Sequence, residues 1–216
     1  MLENEPALQN RVSLVGTNAL YAYEARAGIR IVSEILATQD ADVLWDSRQQ
    51  LALAGNLTRE EFIGLLRRVD STFKRVERQP FRATNSRSYL VDLITAQHDV
   101  RDDSEQLRMA QTLPDELVAA EMKELQWLIS APKMRRLVIG EDGRPVMMTV
   151  SDPRAFALHK EWLSRQPHRD PLKRPRDKEQ KIAVAQLVAD YLPDLPMSAD
   201  MLRMFPAEIR SDSGLM

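Results

Sequence analysis

In Tyr89-Leu90-Val91-Asp92-Leu93-Ile94 a carboxylate stands in the middle of a run otherwise built from large apolar side chains. Length and β-branching make that run a strand. Burying an ionised carboxylate without a partner is costly, so the fold has to bring a positive group to Asp92. An aspartate in such a place calls for a cation.

Two more carboxylates open another apolar run, Asp40-Ala41-Asp42-Val43-Leu44-Trp45. Side chains at i and i+2 of a strand point the same way, so Asp40 and Asp42 project together while Ala41 and Val43 enter the core. Two bare carboxylates that close repel each other. Mg²⁺ or Mn²⁺ relieves the repulsion, since both take oxygen ligands, and two ions about 3.5–4 Å apart can share such a pair. The plainer reading of Asp-x-Asp is a solvated strand entry. A third fragment, Val15-Gly16-Thr17-Asn18, closes the strand pattern Val12 to Val15. Gly16 permits a tight turn, and the Thr17 and Asn18 amides at the start of the next helix can meet phosphate oxygens, with the Thr17 hydroxyl adding a bond. The plainer reading is a helix start capped by Thr17 or Asn18.

Composition removes competing chemistries. The chain of 216 residues has no cysteine, which excludes disulfides, thiolate nucleophiles and cysteine-held metals. His98, His159 and His168 lack the spacing that sets two imidazoles on one helix face, and no Walker-type, nucleophile-elbow or Gly-x-Gly-x-x-Gly loop occurs. With 30 basic and 32 acidic residues, no global field draws the protein to nucleic acid or membrane. No apolar run approaches the roughly 20 residues that span a bilayer, and residues 1–10 do not resemble a signal peptide, so a cytoplasmic protein is expected.

Periodicity places a helix from Asn18 to Ala27, stopped by Gly28, then a short strand from Ile29 to Val32. Thr58-Arg59-Glu60-Glu61 is a capping box opening a helix to Val69, with Phe62, Leu65, Leu66 and Val69 on one face. Phe81 to Thr84 and Tyr89 to Thr95 form a hairpin about Asn85-Ser86-Arg87, followed by a long polar loop from Ala96 to Pro114. A helix is expected from Glu116 to Ile129, and a second hairpin from Arg135 to Val150. Asp152-Pro153 starts a helix to Arg165, and further helices run from Arg176 to Tyr191 and from Met197 to Phe205. The expected organisation is a core over residues 1–150 and a helical part over 151–216 packing on it.

The order of strand, small turn, helix, Asp-x-Asp and a later aspartate resembles the polymerase-β superfamily of nucleotidyltransferases. Val15-Gly16-Thr17-Asn18-Ala19-Leu20-Tyr21-Ala22-Tyr23-Glu24 with Leu36-Ala37-Thr38-Gln39-Asp40-Ala41-Asp42 is similar to a bacterial family with that fold, distantly similar to abortive-infection toxins. The likeness runs from Val12 to Leu192. It implies an α+β fold, a mixed sheet with flanking helices and a helical C-terminal part. Thr17 replaces the usual serine, and the interval from Gly16 to Asp40 is longer than usual. Relatives carry helical sequence before the first strand, so a truncated or short form is expected.

The resemblance implies that Asp40, Asp42 and Asp92 hold Mg²⁺ or Mn²⁺ and carry catalysis, and that Gly16, Thr17 and Asn18 cradle the phosphates of an NTP. Ala157-Leu158-His159-Lys160, then Arg169-Asp170-Pro171 and Lys173-Arg174-Pro175-Arg176-Asp177, form a recurrent signature of the family. It implies that Lys160 and one or more of Arg169, Lys173, Arg174 and Arg176 lie beside the triphosphate, with Asp177 orienting a cation. From the residues alone, Lys160 shares a stripe with Phe156 and Leu163 and either snorkels to solvent or meets an anion. The activity implied is transfer of a nucleoside monophosphate to a hydroxyl on RNA, a protein or a small molecule, with release of pyrophosphate. The alternatives are a non-catalytic nucleotide-binding module, or a toxin-antitoxin-like component that engages a protein partner through Met197 to Phe205.

Overall fold

The computed structural model describes residues 12–46, 62–97, 115–122, 125–140, 142–197, 203 and 205. In chain order they form β1 (Val12–Val15), a 3-10 turn (Gly16–Asn18), α1 (Ala19–Ala27), α2 (Ser33–Leu36), β2 (Asp40–Trp45), α3 (Phe62–Val69), β3 (Lys74–Val76), β4 (Gln79–Thr84) and β5 (Leu90–Ala96). Then come β6 (Ala120–Met122), α4 (Gln126–Ser130), β7 (Lys133–Ile139), β8 (Pro145–Ser151), α5 (Pro153–Arg165) and α6 (Arg174–Tyr191). The fold is α+β, as the sequence led us to expect. Contacts divide it into two compact units, Met1–Leu14 with Thr38–Leu125 and Val15–Ala37 with Gln126–Met216.

In the first unit the strands run in the order β3-β4-β5-β2-β1, with β6 also on β5. β2 and β5 are parallel while β4 and β5 are antiparallel, so the sheet is mixed. After its first residue β5 is buried throughout, which is why its sequence reads as a continuous apolar run rather than an alternating one. Val43, Phe62, Ile63, Leu65, Phe73, Val91 and Leu93 share one core. Ile63 belongs to it and Val69 does not, being 64% exposed, which corrects the helix face expected for α3. The hairpin of β4 and β5 forms about Asn85, whose Oδ1 accepts hydrogen bonds from the Arg87 and Tyr89 amides at 3.0 and 2.9 Å.

The helix expected from Glu116 to Ile129 is only α4, and β6 takes part of its place. Glu116 turns its Oε1 inward to accept from the Leu117 and Ile63 amides at 2.8 and 3.3 Å, and Ala120 to Met122 add to the end of β5 in parallel. Tertiary pairing here overrides helical periodicity. The capping box at Thr58, most of the polar loop after Ala96 and most of the expected last helix lie outside the described residues.

In the second unit α1 ends at Gly28, whose φ of 71° is the left-handed conformation that glycine takes without strain. The expected strand from Ile29 to Val32 does not form. Glu24 is buried and its Oε1 accepts from the Ile31 amide at 2.6 Å, which spends that backbone donor locally, and α2 follows. Tyr23 on α1 donates to the Ser151 carbonyl at 2.9 Å and meets the Phe156 ring edge-on. The β7 and β8 hairpin forms around Gly143. Asp152 caps α5 by accepting from the Arg154 amide at 2.8 Å, with Pro153 at the first helical position. Among the described residues no helix is long and apolar enough to cross a membrane.

Candidate functional site

In the first unit the register sets three carboxylates on one face of the sheet. Asp42 lies directly beside Asp92 on the neighbouring parallel strand, and Asp40 sits two residues along β2. Asp92 is buried and Asp40 and Asp42 are half-buried. The Thr38 hydroxyl donates to Asp40 Oδ1.

Arg82 on β4, which the sequence reading did not single out, lies across the hairpin from Asp92. Its Nε and Nη2 donate to the two oxygens of Asp92, each at 2.6 Å, and its Nη1 donates to Gln79 Oε1 at 2.8 Å. That fork-to-fork pair is the cation that the buried aspartate demanded. Arg82 is held protonated above its usual range by the Asp92 hydrogen bonds first, against the opposing effect of burial, and further by the charges of Asp92, Asp40 and Asp42. Its position was legible: pairing back from the Asn85 turn sets Thr84 against Leu90, Ala83 against Val91 and Arg82 against Asp92.

The carboxylates are the hard oxygen donors that Mg²⁺ or Mn²⁺ takes. Among the described residues no group of three or more His, Cys, Asp or Glu is arranged so that it could hold a metal ion. In donor type Asp40, Asp42 and Asp92 suit a divalent cation, but as arranged here Arg82 holds both oxygens of Asp92 and would have to yield one for it to join the other two.

In the second unit Gly16 opens the turn with a φ of 63°, a left-handed conformation that favours glycine there. Thr17 and Asn18 continue as a 3-10 turn into α1, and neither side chain caps the helix. The Thr17 hydroxyl instead accepts a hydrogen bond from Gln180 Nε2 of α6 at 3.1 Å, which corrects the capping expected for it. The same Nε2 donates to the Ile35 carbonyl at 2.9 Å, and Arg176 Nη2 donates to the Ala37 and Ile35 carbonyls. α6 thus braces both the turn and the C-terminal end of α2.

The basic constellation is largely engaged inside this unit. Lys160 Nζ donates to Asp177 Oδ1 at 2.7 Å, while Arg169 donates through Nε to Oδ2 at 2.6 Å and through Nη2 to Oδ1 at 3.0 Å. Burial pushes the Asp177 carboxyl up, but the Arg169 hydrogen bonds and the Lys160 charge together outweigh it and leave the group below its usual range. Arg174 Nη2 donates to the Gln166 and Pro167 carbonyls, both at 2.9 Å, just past α5. Lys173 is exposed.

His159 is buried between Trp127 and Trp162, stacked on the latter. Burial first, then the charges of Lys160 and Arg169 against that of Asp177, lower its pKa to about 3. An unfolded chain takes up a proton near pH 6.5 that the folded chain refuses, so stability falls as pH drops through the window from about 6.5 to about 3. The slope is at most about 1.4 kcal/mol per pH unit. Urea unfolding at pH 7, 6 and 5, where Asp177 is ionised in both states, should show the decline in the wild type and a flatter response in His159→Phe. Equal slopes would contradict the neutral buried imidazole.

A family model described as nucleotidyltransferase matches residues 1–204 of the chain. No curated protein and no solved structure matches, so the likeness to abortive-infection toxins rests on sequence motifs alone.

Proposed function

The chain belongs to the nucleotidyltransferase family and is a transferase, and from that premise we propose a metal-dependent transfer of a nucleoside monophosphate from an NTP to an acceptor hydroxyl. A bond forms between the acceptor oxygen and the α-phosphorus, the bond from the α-phosphorus to the β-bridging oxygen breaks, and pyrophosphate leaves. The observation that carries this reading is the register of Asp42 with Asp92 and of Asp40 two residues along, on one sheet face.

Asp40, Asp42 and Asp92 would hold Mg²⁺ or Mn²⁺. Bound there, such an ion supplies Lewis-acid stabilisation of phosphoryl oxygens and lowers the pKa of a coordinated hydroxyl. Released from Arg82, an Asp92 oxygen is the group in the strand pair that can accept the acceptor's proton. Gly16, Thr17 and Asn18 would take the phosphate chain through their amides and the Thr17 hydroxyl, at the positive end of α1. Lys160, Arg169 and Arg176 serve the turn by fixing α6, and with Arg174 they hold positive charge in that unit. A direct grip on phosphate by any of these four would mean giving up an internal partner, whereas Lys173 already faces solvent. Asp177 orients the Lys160 ammonium and the Arg169 guanidinium.

The test is pyrophosphate release and retention of an α-³²P label, with each of the four NTPs, Mg²⁺ or Mn²⁺, and a panel of RNA, protein and aminoglycoside acceptors. Label on one acceptor, dependent on the ion, supports the proposal. NTP binding indifferent to the ion, with no pyrophosphate from any acceptor, would overturn it.

Arg82 gives a separate expectation. Because its guanidinium occupies both oxygens of Asp92, Arg82→Met should tighten Mn²⁺ binding by about tenfold, the equivalent of one charge-assisted bond no longer competing. Electron paramagnetic resonance of free Mn²⁺ reads that change without any turnover. Unchanged or weaker binding would show that Arg82 does not compete with the ion.

A further inference from the structure

We infer that Gln180 is a positioning residue that makes the Thr17 hydroxyl a hydrogen-bond donor toward the phosphate chain; the inference rests on the proposed phosphate-binding role of the turn. Gln180 is completely buried on α6, 163 residues along the chain from Thr17. Its Nε2 has two protons and two acceptors, Thr17 Oγ1 at 3.1 Å and the Ile35 carbonyl at 2.9 Å. The Ile35 carbonyl can only accept, so it fixes which end of the carboxamide faces the turn. A reversed amide would set oxygen against oxygen.

Direction follows from that orientation. A threonine hydroxyl can donate one bond and accept two, and in solvent it chooses freely. Here the group facing it from α6 can only donate, so the hydroxyl accepts on that side and its own proton turns away from Gln180. Phosphate oxygens only accept, and the amides of a helix start only donate. A hydroxyl preset to donate adds to that array without rotating on binding, which is the gain from preorganisation.

A second observation supports a role beyond packing. Gln180 Oε1 is buried and has no hydrogen-bond partner among the described residues. A leucine or methionine would fill the same place on α6 without leaving such an oxygen, so the amide is retained at a cost. What the amide alone provides is the paired donation to Thr17 and Ile35. Asp177, three residues before Gln180 on α6, is held by Lys160 of α5 and by Arg169, and it is this cluster that fixes the helix.

The experiment is a double-mutant cycle read by calorimetric titration of the NTP that binds tightest, with and without Mg²⁺. Thr17→Val and Gln180→Met are each expected to weaken binding by about tenfold, the loss of one hydrogen bond to a charged group. The double variant is expected to match Thr17→Val alone, because Gln180 acts only through that hydroxyl. Thr17→Ser, which keeps the hydroxyl, is expected to bind like the wild type and to remain sensitive to Gln180→Met. Affinity for the corresponding nucleoside, which lacks phosphates, should not change in any variant.

Additive losses, a loss shared by the nucleoside, or wild-type affinity in Gln180→Met while Thr17→Val is weakened would each overturn the inference. Wild-type affinity in Thr17→Val would instead overturn the phosphate-binding role of the turn. Thermal melts accompany every variant. If Gln180→Met does not fold, Gln180→Asn, which keeps the amide but is one methylene too short to reach Thr17, takes its place with the same expected outcomes.

Discussion

Asp42→Asn is expected to lower nucleotidyl transfer by about a hundredfold or more while leaving the fold intact. Asp42 is half-buried at the point where β2 runs beside β5, directly against Asp92. The amide matches the carboxylate in shape, so packing is kept and only the charge is removed. A carboxylate that holds a catalytic cation contributes several kcal/mol of transition-state stabilisation, and each 1.4 kcal/mol is about tenfold in rate. The loss should fall on kcat at saturating NTP. It should not be repaired by raising Mg²⁺ to the level that saturates the wild type. Asp40→Asn should behave alike, since the Thr38 hydroxyl holds that carboxylate on the same sheet face. Full turnover in both variants, measured as α-³²P transfer with circular dichroism as the check on folding, would remove the carboxylates from the chemistry.

The second large effect is on stability. Asp177→Ala should cost about 3–5 kcal/mol, because it leaves the Lys160 ammonium and the Arg169 guanidinium together without their shared carboxylate. The Lys160 side chain is 8% exposed, so water cannot take over for its ammonium, and Arg169, at 23%, is only partly open to it. Lys160→Met should cost clearly less: Asp177 keeps its two bonds from Arg169, and the methionine refills the stripe beside Phe156. A domain stable by about 5–15 kcal/mol loses much of its margin in the first case and little in the second. Chemical denaturation at pH 7 reads the order of the two. An Asp177→Ala protein as stable as the wild type would show that the buried cluster is not what holds α5 to α6.

Local signals carried much of the fold. β1, the hairpin about Asn85 and the start of α5 were legible because each is set by residues adjacent in sequence: a run closed by Gly16, an Asx turn, and Asp152 followed by Pro153. Where the expectation failed, a distant partner had decided the conformation. β6 exists because β5 offers it an edge, and Glu116 faces inward because the Ile63 amide lies there. The stretch after α1 is not a strand because Glu24 captures its backbone.

The candidate site divides along the same line. Asp40, Asp42 and Asp92 stand out by charge within apolar runs, and Arg82 follows from the hairpin register about Asn85. Gln180 was not legible. A glutamine on a helix rich in polar residues carries no mark that it is completely buried, and its partner lies 163 positions away. The signature around Lys160 and Asp177 was recognisable, but that its members meet one another in a buried cluster depends on how α5 and α6 pack.

Binding of Mn²⁺ to the metal-free protein, followed by loss of the free-ion paramagnetic signal, tests the carboxylate face without knowledge of the acceptor. Saturable binding in the wild type that is abolished in Asp42→Asn, with both proteins folded, is the expected result. Equal binding in the two proteins, or none in the wild type with or without NTP, would contradict a divalent-cation site at Asp40, Asp42 and Asp92.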